Sequence, residues 1–382
     1  MTARRLGVSA ALVDGQLLPG DVEVVDDRVS RVGLPAAPGG RIAAPGYVDL
    51  QVNGFAGVDV MAADAVGVDH VSRALATHGV TAWVPTLITA STVETDRALD
   101  VLGAVLDPAR PRPAGAALPL GVHLEGPFLS ERRLGTHPAR YRRDPDRDLV
   151  ARWREKAPVV AVTLAPELPG ALPLVSELHG AGVLVSLGHS DATAAQAHAG
   201  FDAGARTVTH LFNAMSPLHH RAPGLPGVAL ARDDVTVQLV VDGHHLEDDV
   251  VRVAWRAARG RVVLVTDATA AAGQADGSYS LAGVPVEVRG GAVRNGEGAL
   301  AGSALTLDAG IRNAVALGVD PVEALVAATE APARLLGRTD VGRLRPGGPA
   351  DLVVLEDDLT VRDTVVAGEY VDRGLTVPGG AA

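Results

Sequence analysis

The chain has 382 residues, of which 47% are hydrophobic and 3% aromatic, and its net charge is −11. Such a length permits one large α/β domain with a smaller one beside it. The negative charge argues against nucleic acid or an anionic membrane as the main partner, and the scarcity of aromatic residues leaves few surfaces for stacking bases. Because the chain has no cysteine, disulfides, thiolate zinc sites and thiol catalysis are excluded, and any metal must be bound by histidines and carboxylates.

The N-terminal sequence, MTARRLGVSA, contains no long apolar segment. No run of about 18 apolar residues indicates a membrane span either, so we expect a cytoplasmic protein with no membrane partner. Lys156 is the only lysine, and it lies within a predicted helix. Schiff-base chemistry and a lysine-bridged metal pair are therefore disfavoured.

The two chain ends share a pattern of short strands separated by turns, at residues 4–44 and 342–375. Ends of this kind pair readily with each other, so we predict one small sheet domain formed by both. The expected division of the chain is 1–44 and 342–382 for this domain and 45–341 for the larger one.

Apolar, β-branched runs alternate with helical patterns through the middle of the chain. Eight runs are strand candidates: 46–52, 80–87, 118–126, 158–167, 182–190, 205–213, 235–245 and 261–269. Helical patterns between them include 68–79, 94–106, 172–182 and 247–260. Eight βα units predict a (β/α)8 barrel with its active site at the C-terminal ends of the strands. A doubly wound open sheet is the alternative fold, although no GxGxxG motif follows the first strand candidate.

Three further segments are predicted around and after these units. Residues 219–234, HHRAPGLPGVALARDD, are rich in proline and glycine and favour a loop of functional length over a plain helix. Residues 277–303 alternate between apolar and polar positions and contain Gly and Asn turns, which predicts a small β insertion. Residues 304–318 and 321–337 are predicted as two helices.

Polar side chains interrupt the apolar strand candidates near their C-terminal ends. They are Gln51, Asn53, His123, Glu125, His189, His210, Asp242, His244, His245 and Asp267. A barrel would bring these side chains together at one mouth, whereas chance would scatter them along the strands.

Glu125, His189 and His210 form a candidate metal site. Two imidazoles and one carboxylate, with a further position left for water, are typical of catalytic rather than structural zinc. Such a metal would lower the pKa of its water to about 7. The same donors also suit Fe²⁺, Co²⁺ or Mn²⁺. A buried carboxylate paired with an arginine is the alternative interpretation of Glu125.

Asp267 lies at the end of the last strand candidate, where a carboxylate could take a proton from the reacting water and return it to a leaving amine. A helix N-cap is the alternative role. Arg221 follows His219 and His220 in the loop after the sixth strand and could bind a phosphate, although a solvated loop is the favoured interpretation of the two histidines. His137 follows the third strand and could reach the mouth.

The motifs PGYVDLQVNG, HLEGPF, LGHS, THLFNAM, DGHH and LVTDATAA follow one another on successive strand candidates. In this order they resemble the N-acetylglucosamine-6-phosphate deacetylase family of the amidohydrolase superfamily, over nearly the whole chain. The resemblance implies a (β/α)8 barrel with a small β-sandwich built from both chain ends. It implies metal-dependent hydrolysis of the acetamide of N-acetyl-D-glucosamine 6-phosphate to D-glucosamine 6-phosphate and acetate, in amino-sugar catabolism or cell-wall recycling. It also implies a homodimer in which a neighbouring subunit contributes to phosphate binding.

The resemblance further implies roles for single residues. Glu125, His189 and His210 would bind the metal, Asp267 would be the general acid and base, and His137 would polarise the amide carbonyl. The implied substrate contacts are Thr136, His137, Asn213, Ala214, Arg221, His245, Leu300, Ala301 and Gly302.

One position departs from the broader superfamily, in which many members carry His-x-His at the end of strand one. This chain has Gln51 and Asn53 there, and amides are poor ligands for zinc. We therefore interpret this pair as a vestigial second metal position and expect one divalent metal ion per chain, with zinc as the expected metal.

Other functions stay open on the sequence alone. Hydrolysis of N-acetylgalactosamine 6-phosphate would differ only at one hydroxyl group. Hydrolysis of a cyclic amide is disfavoured, because relatives with that activity usually bridge two metals with a carboxylated lysine. A non-catalytic sugar-phosphate-binding protein is disfavoured by the intact set of Glu125, His189, His210 and Asp267.

Overall fold

A computed structural model describes residues 3–372 of the chain. The chain begins with six short strands. They are β1 (Ala3–Arg5), β2 (Ala10–Val13), β3 (Gln16–Pro19), β4 (Asp21–Val25), β5 (Arg28–Leu34) and β6 (Ile42–Pro45). β1, β4 and β5 form a three-stranded antiparallel sheet. The other three strands join a second sheet, which is completed by the far end of the chain.

Eight parallel strands follow and form a nearly closed barrel, as predicted. They are β7 (Tyr47–Val52), β10 (Val80–Ile88), β12 (Val122–Glu125), β13 (Val159–Leu164), β14 (Leu184–Leu187), β15 (Thr207–Val208), β16 (Thr236–Leu239) and β17 (Val262–Leu264). The hairpin of β8 (Gly54–Phe55) and β9 (Val58–Asp59) follows the first of them, and β11 (Leu118–Pro119) pairs with the beginning of β10. Each barrel strand overlaps one of the eight strand candidates.

The barrel closes between its first and last strands, β7 and β17. The two strands are joined by side-chain hydrogen bonds and by an isolated β-bridge between Val52 and Ala268. The carboxylate of Asp49 accepts hydrogen bonds from the hydroxyl of Thr266, at 2.6 Å, and from the backbone N–H of Thr266, at 3.3 Å. Just beyond, the N–H of Asn53 donates to the carbonyl oxygen of Ala268 at 2.8 Å. Burial raises the pKa of Asp49 to about 7. We call this junction the seam, and its upper end lies at the mouth of the barrel.

Ten α-helices lie around and after the barrel strands in the described residues. They are α1 (Ala65–Ala76), α2 (Thr92–Val105), α3 (Arg147–Lys156), α4 (Ala171–Gly180), α5 (Ala194–Asp202), α6 (Gly224–Ala231), α7 (Asp248–Ala257), α8 (Leu307–Ala316), α9 (Pro321–Ala327) and α10 (Glu330–Leu335). The local sequence explains where several of these helices begin. Ser91 and Glu94 form a capping box before α2, and Pro321 occupies the first turn of α9.

Two predictions for this part of the chain were wrong. The segment 219–234 contains the helix α6, because Pro226 lies in its first turn, where a missing N–H breaks no helical hydrogen bond. The single helix expected at 321–337 is divided into α9 and α10. Pro332 has no N–H to bond the carbonyl oxygen of Ala328, which accepts instead from Val48 of the barrel at 2.8 Å.

The β insertion is a three-stranded antiparallel sheet of β18 (Gly277–Leu281), β19 (Val284–Arg289) and β20 (Ala292–Asn295). Its apolar side chains, among them Leu281 and Val286, pack with Ile88 at the end of β10. The insertion therefore lies against the mouth of the barrel.

The far end of the chain forms β21 (Leu352–Leu355), β22 (Val361–Val366) and β23 (Glu369–Tyr370). β21 pairs with β6, which gives a six-stranded sheet in the order β23-β22-β21-β6-β2-β3. The boundaries at 44/45 and 341/342 stay predictions, and residues 373–382 of the predicted C-terminal segment lie outside the described residues. Among residues 3–372, no helix has the length and apolar character that crossing a membrane requires.

Candidate active site

Six of the ten polar side chains predicted at the strand ends line one cavity of about 220 Å³ at the mouth of the barrel, whereas Gln51, His123, Asp242 and His244 do not. The predicted site residues that line it are Asn53, Glu125, Thr136, His137, His189, His210, Asn213, Ala214, His245, Asp267, Leu300 and Gly302. A larger hollow of about 650 Å³ lies on the insertion sheet and contains none of them. The candidate metal-binding and catalytic residues therefore surround the smaller cavity.

Glu125, His189 and His210 converge on a single point. The Nε2 atoms of the two histidines are 3.2 Å apart, and each is 3.1 Å from Oε1 of Glu125. The three residues are 2%, 4% and 5% exposed, respectively. Burial alone would raise the pKa of Glu125, but its contacts with the two histidines hold it well below 4.5.

The protonation pattern of this cluster fits a divalent metal. Nδ1 of His189 donates to the carbonyl oxygen of Arg133 at 2.9 Å, so in the neutral ring the Nε2 lone pair is directed at the cluster. Two imidazole nitrogens and a carboxylate oxygen directed at one buried point are a donor set that suits zinc and similar cations. The cluster could therefore bind a metal ion.

Asp267 is held by the two amide side chains of the first strand. Its Oδ1 accepts hydrogen bonds from Nε2 of Gln51, at 3.0 Å, and from Nδ2 of Asn53, at 2.7 Å. Burial and the nearby charge of Glu125 raise the pKa of Asp267 to about 6. Both amides bond to Oδ1, which leaves Oδ2 for another partner. Gln51 and Asn53 thus cross the seam to position Asp267, a role that sequence reasoning had not predicted.

Left-handed backbone conformations turn the main site residues away from their strands. His189, His210 and Asp267 have φ values of 48°, 30° and 52°, respectively. Such conformations cost non-glycine residues about 1–3 kcal/mol each and concentrate at functional sites. Because none of these positions is a glycine, no residue type in the sequence indicated the conformation.

His137 and His245 complete the polar part of the wall. His137 is buried, and its Nε2 lies 4.0 Å from Oε2 of Glu125. Burial and the neighbouring His189 lower the pKa of His137 to about 3, so the ring is neutral. Nδ1 of His245 lies 2.7 Å from Oδ2 of Asp242, which fixes the orientation of that ring.

Three predicted residues do not line the cavity. Gln51 lies behind Asp267, and Ala301 is buried in the apolar cluster beneath the insertion. Arg221 lies on an exposed loop, where its Nη1 is 2.6 Å from Nε2 of His220.

Four residues of the wall were missed by sequence reasoning. They are Ile88, Gly135, Leu281 and Ala299. Ile88 is the last residue of β10, one position beyond the strand candidate 80–87, and Leu281 belongs to the insertion, so neither was a candidate site residue. Polar residues at strand ends cannot indicate an apolar wall, because this wall forms only when the insertion sheet packs over the mouth.

Gly302 lies directly against the backbone of Asp267. It adopts a φ of 61°, and an added Cβ would approach Cγ2 of Thr269 to 2.7 Å and the carbonyl oxygen of Asp267 to 2.8 Å. The N–H of Ser303 donates to that same carbonyl oxygen at 2.8 Å. The predicted loop at 300–302 therefore runs beside the last strand and supports the turn at Asp267.

Gly302→Ala should destabilise the protein by about 2 kcal/mol or more, because left-handed strain is added to a clash with backbone. Gly298→Ala is the matched control, since Gly298 has a φ of 83° and nothing within 4 Å of an added Cβ. The control should lose only about 1 kcal/mol. Thermal unfolding of both variants measures the difference, and equal midpoints would contradict the role given to the close approach.

Comparison with known proteins agrees with this architecture. Residues 42–371 match the model of the amidohydrolase family. An N-acetylgalactosamine-6-phosphate deacetylase of Escherichia coli O157:H7 is 40% identical over 335 residues, which cover 86% of this chain and 87% of that protein. An N-acetylglucosamine-6-phosphate deacetylase of Danio rerio is 39% identical over 349 residues, covering 87% of this chain and 85% of that protein.

A solved structure shares the whole architecture. It is a mutant N-acetyl-D-glucosamine-6-phosphate deacetylase of Mycobacterium smegmatis in complex with N-acetyl-D-glucosamine-6-phosphate. It superposes with a TM-score of 0.91 at 35% identity, covering 97% of this chain and 100% of that one. The resemblance inferred from the sequence motifs is thereby confirmed, and the chain belongs to the amidohydrolase family.

Proposed function

We propose that the protein hydrolyses the acetamide of N-acetyl-D-glucosamine 6-phosphate to D-glucosamine 6-phosphate and acetate. The observation that carries the proposal is the convergence of the Glu125, His189 and His210 cluster with Asp267 around one cavity. The names of the relatives support the substrate class. In such a reaction, water is added across the C–N bond of the amide.

We infer that Glu125, His189 and His210 bind one divalent metal ion, with zinc as the proposed metal and Fe²⁺, Co²⁺ or Mn²⁺ as other cations that suit the donors. When bound, such an ion supplies Lewis acidity, which makes a water molecule more acidic and polarises a carbonyl group. Their burial keeps the ligands away from bulk water.

The proton transfers are assigned to Asp267. Its Oδ2 is the oxygen that the two amides leave free, so this atom would take the proton of the attacking water. It would then deliver the proton to the 2-amino nitrogen as the C–N bond breaks. His137 would donate a hydrogen bond to the carbonyl oxygen and stabilise the negative charge that develops there.

The remaining wall of the cavity would hold the sugar. Thr136, Asn213, Ala214, His245 and Leu300 lie around it. The hydroxyl of Thr136 is buried and has no hydrogen-bond partner within the described part of the chain, so it is available to a sugar hydroxyl. Gly302 belongs to the same wall, and Ala301 would support it from behind.

A homodimer and a cytoplasmic location are part of the proposal. The exposed position of Arg221 leaves room for a second subunit to complete the phosphate site. A cytoplasmic enzyme would meet its substrate directly, because a doubly charged sugar phosphate does not cross a bilayer unaided.

N-acetyl-D-galactosamine 6-phosphate is the second candidate substrate, because the relative from E. coli O157:H7 is named for that epimer. The two sugars differ only in the orientation of one hydroxyl group. The assigned catalytic residues would therefore act on either substrate in the same way.

The test of the proposed function is acetate release by metal-stripped protein titrated with Zn²⁺. N-acetyl-D-glucosamine 6-phosphate, its galacto epimer and the unphosphorylated sugar are compared under the same conditions. Activity that saturates at one metal per chain and prefers a phosphorylated sugar would support the proposal, and the preferred epimer would assign the substrate. No acetate release from either sugar phosphate at any metal content would refute it.

Arg221→Ala tests the proposed phosphate contact. Loss of a charge-assisted hydrogen bond should lower kcat/KM for the phosphorylated sugar by about 10- to 100-fold and leave the free sugar unaffected. Arg256→Ala, at an exposed arginine of α7, is the matched control. An unchanged preference for the phosphorylated sugar in Arg221→Ala would remove the arginine from the phosphate site.

A further inference from the structure

Thr89 contacts the ring of His137 with both its backbone and its side chain. The backbone nitrogen of Thr89 lies 3.3 Å from Nδ1 of His137, and its Oγ1 lies 2.9 Å from the same atom. Both residues are buried, at 2% and 5% exposure. Thr89 directly follows Ile88, the last residue of β10, so a rigid strand end presents these two groups.

The backbone contact decides which nitrogen of the ring carries the proton. An amide N–H can only donate, so Nδ1 of His137 must accept from it. The hydroxyl of Thr89 can rotate, and it then donates to the same lone pair. Within residues 3–372, the other acceptor that this hydroxyl reaches is the carbonyl oxygen of Glu125 at 3.5 Å, which is a much longer contact than 2.9 Å. In a neutral ring whose Nδ1 accepts, the proton is on Nε2.

This protonated nitrogen lies on the catalytic side of the ring. Nε2 of His137 is 4.0 Å from Oε2 of Glu125, and His137 lines the cavity. A donor there could bond a carbonyl oxygen of the substrate, whereas the other tautomer would direct a lone pair at that oxygen and repel it. The choice of tautomer therefore decides whether the ring assists or opposes the reaction.

We propose that Thr89 is a positioning residue that holds His137 in its Nε2–H tautomer, with that N–H directed at the carbonyl oxygen of the scissile amide. The inference rests on the proposed function for the identity of the acceptor. The tautomer itself follows from the contacts of Thr89 alone.

Thr89→Val and Thr89→Ser form the test pair. Valine keeps the shape and the backbone N–H but removes the hydroxyl, whereas serine keeps the hydroxyl. We expect kcat to fall about tenfold in Thr89→Val with KM nearly unchanged, and to stay within about twofold in Thr89→Ser. Metal content and the thermal midpoint should be the same in both variants, which a general loss of structure would not allow.

The tautomer is measured directly in zinc-loaded protein labelled with ¹⁵N-histidine. Long-range ¹H–¹⁵N correlation spectra distinguish protonated from unprotonated ring nitrogens, and His137→Gln identifies the resonances of His137. We expect an unprotonated Nδ1 in the unmodified protein and partial protonation of Nδ1 in Thr89→Val. A protonated Nδ1 in the unmodified protein would overturn the inference, as would full activity in Thr89→Val. If the unmodified protein released no acetate, the proposed function would fail while the spectrum still decided the tautomer.

Discussion

Replacement of Asp267 by asparagine is expected to lower kcat for the acetylated sugar phosphate by about 10³- to 10⁴-fold. An amide has the shape of the carboxylate but cannot take a proton from water. In the unmodified protein, Gln51 and Asn53 both donate to Oδ1 of Asp267. The carbonyl oxygen of asparagine can accept the same two hydrogen bonds. The geometry of the site should therefore survive while the proton transfer is lost.

The measurement is acetate release together with metal analysis of the same preparation. Asp191→Asn is the matched control, because Asp191 follows His189 closely at the same mouth but pairs with Arg133. We expect the control to keep kcat within about threefold, since partly exposed ion pairs contribute little. A kcat for Asp267→Asn within tenfold of the unmodified protein, at full metal content, would contradict the assigned role.

The barrel and the cluster of polar residues at its mouth could be predicted because they depend on local patterns. Each parallel strand is a short apolar run, and a polar residue at its end is conspicuous in the sequence. Glu125 closes β12, and His189 and His210 follow β14 and β15 by two residues each. Once eight such runs predict a barrel, their ends must meet at one mouth.

The features that escaped prediction depend on contacts between distant parts of the chain. Gln51 and Asn53 were interpreted from the superfamily pattern, yet their partner is more than two hundred positions away at Asp267. The apolar wall at Ile88 and Leu281 forms only when the insertion packs over the mouth. Thr89 is one of several threonines in the chain, and its contact with His137 has no signature in either segment.

The seam between β7 and β17 links the predicted residues at the mouth to the contacts that escaped prediction. Asp49 and Thr266 hold β7 beside the last strand, just below the amides that bond Asp267. A barrel closed by side chains at this point can place two donors from its first strand on a carboxylate from its last strand. The closure of the fold and the positioning of Asp267 are therefore parts of one hydrogen-bonded structure.

Glu125→Gln is the second variant with a large expected effect, because it should abolish metal binding. The carboxylate oxygen that lies 3.1 Å from both Nε2 atoms becomes part of a neutral amide, which is a poor ligand for zinc. Metal content should fall far below one per chain, and acetate release should drop by at least about 10³-fold at the same zinc concentration. Glu167→Gln is the matched control, since Glu167 bonds Ser190 at this mouth but none of the three cluster residues in the described structure.

The stability of the same variants separates a metal ligand from a structural ion pair. Zinc at a hundredfold excess over its Kd should stabilise the unmodified protein and Glu167→Gln by about 2.7 kcal/mol, and Glu125→Gln should show no such shift. In stripped protein, a carboxylate that served as one half of a buried ion pair would cost about 3–5 kcal/mol to remove. Glu125 instead contacts two histidines, which hold its pKa well below 4.5, so the charged form favours the folded state. Because the carbonyl oxygen of glutamine can still accept a hydrogen bond, the neutral replacement should lower the stability of the stripped protein by less than that amount. A stripped Glu125→Gln variant that melts well below stripped unmodified protein would favour the structural interpretation, because burial of that charge would then stabilise the fold without any metal.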